Sequence, residues 1–200
     1  MSEDKSIYEL RKSIRKYKED PVPEEDIRKI IEAARLAPSA KNRQPWKFYV
    51  VTGEKKEEIL IQMEKGIEKS KKSLFMPKKF RNGMASADNT LRIMREAPVI
   101  VLVMNPFSKN PYLPVFAGKR VSEIHNTMSL GAAVENMLLR ATELGYGSLW
   151  IGNTVYAHKE ITSYLGTKEQ LACAVAFGVS DETPEGRPKK TLEEISEFLG

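Results

Sequence analysis

The sequence predicts a layered α+β or α/β domain, on three observations. Short runs rich in β-branched and aromatic residues recur along the chain, at Trp46 to Thr52, Val99 to Met104, Ser148 to Gly152 and Ala172 to Val179. Segments with helical apolar spacing lie between these runs, so helices and strands mix along the whole length. No repeat or low-complexity stretch points to a solenoid or a disordered array. With 200 residues, 41% of them hydrophobic, the chain can build one sizeable core and is read as one domain, 1–200.

The elements follow in order. Ser6 to Lys16 has mixed helical character and runs into the acidic, proline-bearing turn Glu19 to Pro23. Pro23 suits a first helical turn, Glu24, Glu25 and Asp26 favour the positive end of the helix dipole, and Ile27, Ile30, Ile31 and Ala34 recur at core spacing, so Pro23 to Arg35 is a helix. Pro38 stops it, and a polar loop, Ser39 to Pro45, leads to the strand Trp46 to Thr52. This strand and Val99 to Met104 are both expected inside the sheet. Between them Glu54 to Lys72 reads as a helix whose alternating charges mark a solvated face. The one-sided basic stretch Lys69 to Arg81 follows, where Pro77, Asn82 and Gly83 argue against continuous regular structure. Glu123 to Leu144 is a long helix, apolar on most faces and stopped at Gly145. Such a helix is easiest to bury against a second copy, which predicts a homodimer. A helix over His158 to Leu165 separates the last two strands, and another is expected from Leu192.

Composition narrows the chemistry. A lone cysteine, Cys173, lies in an apolar run and reads as a small buried hydrophobe, and with two histidines no metal site is expected. No apolar stretch approaches the ~20 residues of a membrane span and the start lacks a signal-peptide pattern, so a cytoplasmic protein is expected. The net charge of +5 invites a nucleic-acid reading, but most charges alternate in sign and aromatic interleaving in the basic stretch is limited to Phe75 and Phe80. No Walker loop is present. Gly145-Tyr146-Gly147 follows a helix and lacks the third glycine of a dinucleotide fingerprint, so it reads as a helix stop and turn. His125 and His158 have no serine or cysteine partner by motif. No catalytic side chain is expected to be obligatory, which leaves a cofactor enzyme or a non-catalytic protein.

Three segments could hold a cofactor. Arg11-Lys12-Ser13-Ile14-Arg15 offers forked donors and a hydroxyl suited to phosphate oxygens or a polar ring edge. Alone it is a common surface pattern. The stretch Ala37-Pro38-Ser39-Ala40-Lys41-Asn42-Arg43-Gln44-Pro45-Trp46 carries a hydroxyl and two amides that could lie along a polyhydroxyl chain, or simply satisfy a turn. Gly147-Ser148-Leu149-Trp150-Ile151-Gly152 is an apolar strand ending in glycine, where backbone can approach a planar ligand.

Taken together, Arg-x-Ser-x-Arg near the N-terminus, Ala-Pro-Ser followed by Asn-x-Gln-Pro-Trp, the long helix containing Asn136, Leu-Gly-Tyr-Gly-Ser-Leu-Trp-Ile-Gly and a basic tail resemble the nitroreductase family of FMN-dependent NAD(P)H oxidoreductases. The likeness covers nearly the whole chain, except for a variable substrate or lid segment near 69–95. It implies a mostly antiparallel central sheet flanked by helices, in an interlocked homodimer with FMN sites at the interface. By the resemblance, Arg11, Lys12 and Ser13 would approach the phosphate or ribityl chain and Arg15 the pyrimidine edge of the ring. Pro38, Ser39, Ala40, Asn42 and Gln44 would come from the other chain. The backbone of Leu149, Trp150, Ile151 and Gly152 would lie along the ring, and Arg187 and Lys189, or Lys190, would close on the phosphate. Trp46 is read as core. The resemblance implies ping-pong transfer from NADH or NADPH to the flavin and on to a nitroaromatic, quinone or similar small acceptor. The basic stretch Lys69 to Arg81 is expected to cover the site and choose the acceptor or the nicotinamide phosphate. Flavin-fragmenting or dehalogenating members of the same fold, and a flavin-binding sensor or store, are the alternatives.

Overall fold

The structure, a computed structural model, describes residues 5–73, 84–112 and 114–200. Its centre is an antiparallel four-stranded sheet: β1 (Lys47–Val51), β2 (Val99–Asn105), β3 (Gly147–Ile151) and β4 (Gln170–Gly178), in the order β1-β2-β4-β3. Strand β2 is internal as expected, whereas β1 is an edge strand and Val50 on it is 40% exposed. The sequence run alone could not separate these cases, because burial of β1 depends on what lies beyond its free edge.

Every residue of β2 is buried, and successive side chains serve two cores. Val99, Val101 and Val103 face the cluster built with α2 (Glu24–Arg35) and α5 (Ala117–Glu143). Ile100, Leu102 and Met104 face the cluster built with α3 (Gly53–Lys71), α4 (Met84–Glu96) and α6 (His158–Tyr164). Two helical layers therefore sandwich the sheet, the nitroreductase-like α+β arrangement that the resemblance implies. Helix α2 buries Ile27, Ile30 and Ala34, and full burial of each isoleucine contributes roughly 1.5–3 kcal/mol. Helix α3 keeps a solvated charged face with the pairs Lys55–Glu58 and Lys71–Glu68, but Lys56 is buried and its Nζ donates to the carbonyls of Arg95 and Ala97 at 2.8 and 3.0 Å, capping α4.

Four further expectations are corrected. The helix expected over Ser6 to Lys16 is one turn, α1 (Ile7–Leu10), opened by Ser6 donating to the Glu9 carboxylate. Beyond it the chain is extended, because Ile14 and Tyr17 are buried and its amides pair with β3 and with residues 179–181. Helix α5 starts six residues before Glu123, with Phe116 as its N-cap. Helix α4 was not anticipated, although Ala87, Leu91 and Met94 recur at helical spacing and are buried. The tail from Leu192 makes a turn closed by Ile195 N–H to Leu192 O and no helix, and its apolar side chains are exposed, with nothing among the described residues covering them. Lys78, Lys79 and Arg81 of the basic stretch lie outside the described residues.

His158 opens α6, is 8% exposed and has an Nε2 without a hydrogen-bond partner among the described residues. Burial holds its pKa below the ordinary 6.5, against a hydrogen bond with the Lys109 backbone. A depressed histidine pKa means that the unfolded chain takes up its proton first. Stability is then complete above about pH 6.5 and declines as pH falls through that value toward the folded pKa. Urea unfolding at about pH 7.5 and 5.5 should show this loss, and His158→Gln should reduce it; an unchanged loss would assign it to other groups.

Candidate active site

The Arg11 to Arg15 segment is held by backbone pairing on both sides. On one side Ile14 N–H donates to Ser148 O at 2.9 Å, a parallel bridge to β3. The approach is close enough to require Gly147, since a Cβ there would lie 2.7 Å from Ile14 Cγ1. On the other side Lys18 N–H reaches Val179 O, and Asp181 N–H reaches Lys16 O. Residues 179–184 thus run beside residues 12–18 and carry the tail to the same corner. Lys12 Nζ donates to Pro184 O at 2.7 Å, the Arg15 N–H to the Glu182 carboxylate, and the Arg15 guanidinium to Ser13 O at 3.0 Å. Arg187 and Lys189, both exposed, follow within five residues of Pro184.

Strand β3 supplies a wall whose side chains are divided. Leu149 and Ile151 are buried in the core, so only their backbone can meet a ligand, while Trp150 is 44% exposed and packs over Gly131 of α5. Behind Trp150 is Cys173, buried as expected, its thiol pushed up to about 12 by burial.

The polar loop is the strained part. Lys41, Asn42 and Gln44 all have positive φ (55°, 52° and 50°), a left-handed conformation costing roughly 1–3 kcal/mol each where the surroundings must enforce it. The surroundings are present. Ser39 Oγ accepts from Gln44 N–H at 2.9 Å, Gln44 Nε2 donates to Asn42 Oδ1 at 3.2 Å, and the Arg43 guanidinium sits 5.1 Å from the centre of the Phe107 ring. Ala40 N–H donates to Ser129 Oγ at 3.3 Å, fastening the loop to α5. Pro38 is exposed at its start; Trp46, past its end, packs part-buried against the core, as read from sequence.

Helix α5 relates the two walls. Glu135 forms the ion pair with Arg11 (3.6 Å) and Gly131 meets Trp150, one turn apart on one face. Ser129, which carries the loop, projects about 120–160° around the helix from them. In one chain the arginine wall and the amide loop therefore point from different faces of α5. The arginine face continues into the exposed Val121, Ile124 and Met128. Glu135, Glu182 and Ser129 were not singled out in the sequence; each joins the site through a contact 89 or more residues away along the chain. Asn136, part of the motif pattern, has a structural role: its Nδ2 donates to Ala33 O at 3.0 Å and ties α5 to α2.

Among the described residues no group of His, Cys, Asp or Glu could hold a metal, and no helix is long and apolar enough to cross a membrane. The basic side chains Arg11, Lys12 and Arg15 instead lie together on the segment beside β3, a donor set whose chemistry suits an anion. The nitroreductase family profile matches residues 9–179. The chain belongs to the nitroreductase family. It is 35% identical over 179 residues to an Archaeoglobus fulgidus protein provisionally assigned as an NADH dehydrogenase/NAD(P)H nitroreductase, covering 88% of this chain and 80% of that one. It is 27% identical over 198 residues to the iodotyrosine deiodinase of Thermotoga neapolitana, covering 96% of each. Its fold matches the crystal structure of a BluB-like flavoprotein from Clostridium difficile 630, with a TM-score of 0.73, 33% identity and 97% of each chain covered. Membership of the family makes the chain oxidoreductase-like.

Proposed function

We propose that this protein is an FMN-dependent NAD(P)H oxidoreductase acting as a homodimer on a small acceptor. The observation that carries the reading is the locked segment Arg11 to Arg15: three cations and a hydroxyl fixed to the edge of β3, with one carboxylate, Glu135, pairing with Arg11 and another, Glu182, engaged by the Arg15 backbone. This donor set fits a doubly charged phosphate better than a neutral ligand. Bound there, FMN would take hydride from NADH or NADPH and pass electrons to a nitroaromatic, quinone or similar acceptor.

The chain's own groups have distinct tasks in this reading. Arg11, Lys12 and Ser13 hold the phosphate end, with Arg187 and Lys189 reaching it from the tail. Arg15 would serve the ring edge and favour negative charge there. The backbone of Leu149, Trp150, Ile151 and Gly152 lines the ring, and Pro38, Ser39, Ala40, Asn42 and Gln44 reach it from a second copy. The opposed faces of α5 support that division. A second copy would also cover the exposed stripe Val121, Ile124 and Met128. It would fill the groove of about 1070 Å³ beside edge strand β1, lined by Val22, Ile27, Trp46 and Val50, for which the uncovered tail Leu192, Ile195, Phe198 and Leu199 is suitable chemistry.

Purified protein should be yellow, release FMN on heating and bleach with NADH or NADPH. A colourless protein that binds no added FMN would overturn the reading. Met128→Glu should shift sedimentation from dimer to monomer and release flavin, because it places a charge in the apolar stripe; an intact dimer would move the interface elsewhere. The likeness to iodotyrosine deiodinase favours one alternative, reductive dehalogenation at the same site. Iodide released from iodotyrosine by the reduced protein, with no turnover of nitroaromatics or quinones, would select it.

A further inference from the structure

Asn153 follows Gly152 and opens the 3-10 turn Asn153–Ala157, at the end of the strand whose backbone the flavin reading sets along the ring. Its amide is tied to α4 by two hydrogen bonds: Nδ2 donates to Thr90 Oγ1 at 2.9 Å and to Ser86 Oγ at 3.1 Å. Thr90 Oγ1 itself donates to Ser86 O at 2.8 Å. Its single proton is thereby committed, so Thr90 can only accept from Asn153, and the amide must present its nitrogen to Thr90. Both Nδ2 protons are used, and Oδ1 is turned away from α4. Helix α4 is a firm base for this contact, because Lys71 pairs with Asp88 near one end and Lys56 caps the other. Thr90 is 8% exposed, so water does not compete strongly for its lone pairs.

The phosphate end and the ring end of the site are separated along β3. From Ser148, which carries the Arg11 to Arg15 segment, to Gly152 the strand rises about 13 Å. A change at Thr90 therefore reaches one end and spares the other.

We propose that Thr90 is a positioning residue for the redox site: through Asn153 it fixes the orientation of the backbone at Gly152 and Asn153, and so sets hydride-transfer geometry without contributing to cofactor retention. The inference rests on the flavin reading. A wild-type protein that binds no FMN would fail that reading first, before any variant is made.

The test uses the flavin-loaded protein with Thr90→Val, Thr90→Ser, Asn153→Ala and the double variant Thr90→Val/Asn153→Ala. FMN dissociation constants come from fluorescence quenching, and the rate of flavin bleaching by NADH or NADPH from anaerobic stopped flow. Thr90→Val keeps the shape and removes the acceptor, so bleaching should slow by about tenfold or more while the FMN dissociation constant stays within about threefold. Thr90→Ser should retain the fast rate. The double variant should be no slower than the slower single one, since both break one link. Unchanged bleaching in Thr90→Val, equal slowing by Thr90→Ser, multiplicative effects in the double variant, or a large loss of FMN affinity would each overturn the proposal.

Discussion

Gly66→Ala should destabilise the protein by about 2–3 kcal/mol and lower its melting temperature by roughly 5–10 °C. The sign is the informative part, because alanine in place of an interior helical glycine ordinarily stabilises by up to about 1 kcal/mol. Here a Cβ on Gly66 would lie 2.4 Å from Ala157 Cα, 2.5 Å from Ala157 Cβ and 2.9 Å from Tyr156 O. Two of those atoms are backbone, so no rotamer change relieves the overlap, and α3 or the turn Asn153–Ala157 must move. Both are otherwise fixed: Ile59, Leu60, Met63 and Ile67 of α3 are almost fully buried, and Ser70 Oγ donates to Tyr156 O at 3.2 Å. Differential scanning calorimetry of the variant checks the prediction, and a melting temperature equal to or above wild type would mean that α3 stands further from the turn than described. Displacement of the turn would also carry Asn153 with it, joining a stability defect to the end of β3.

The same contact illustrates what a sequence can and cannot show. Strand runs such as Val99 to Met104 were legible because a doubly buried strand must be apolar throughout, and α2 was legible because its start, stop and apolar face are all local signals. What escaped depends on distant partners. Extended structure at Arg11 to Lys18 arises from amides paired with residues 148 and 179, and against that pairing the local helical tendency of Ser6 to Lys16 yields after one turn. Helix α4 was hidden for a different reason: its spacing was present in Ala87, Leu91 and Met94, but the neighbouring basic, proline-bearing stretch drew the whole region into an irregular reading. The tail carries apolar residues that no described part of the chain buries, so the helix its composition suggests has no packing partner among the described residues.

The candidate site divides in the same way. Which groups could bind an anion was readable from Arg11, Lys12, Ser13 and Arg15, since charge and donor geometry belong to the residue itself. Which of them are free to do so was not, because the groups that engage them, the Glu135 carboxylate on Arg11 and the Pro184 carbonyl on Lys12, arrive from far along the chain.

That competition makes Arg11 the sharpest test of the phosphate corner. Arg11→Ala should weaken FMN binding by about ten- to a hundredfold, the loss of one charge-assisted contact worth roughly 1.5–3 kcal/mol. Glu135→Gln should act in the opposite direction. The pair is 3.6 Å apart with Glu135 46% exposed, so releasing Arg11 from it costs little, and removing it should tighten FMN binding by a few-fold, about 0.2–1 kcal/mol. The double variant should match Arg11→Ala, since Glu135 acts only through the arginine. Fluorescence titration of the flavin-free protein at two salt concentrations measures all three, with the wild-type advantage over Arg11→Ala shrinking as salt rises. Equal affinity in Arg11→Ala would remove Arg11 from the site. Weaker binding in Glu135→Gln would give the carboxylate a different task, holding the guanidinium in place for the phosphate instead of competing with it.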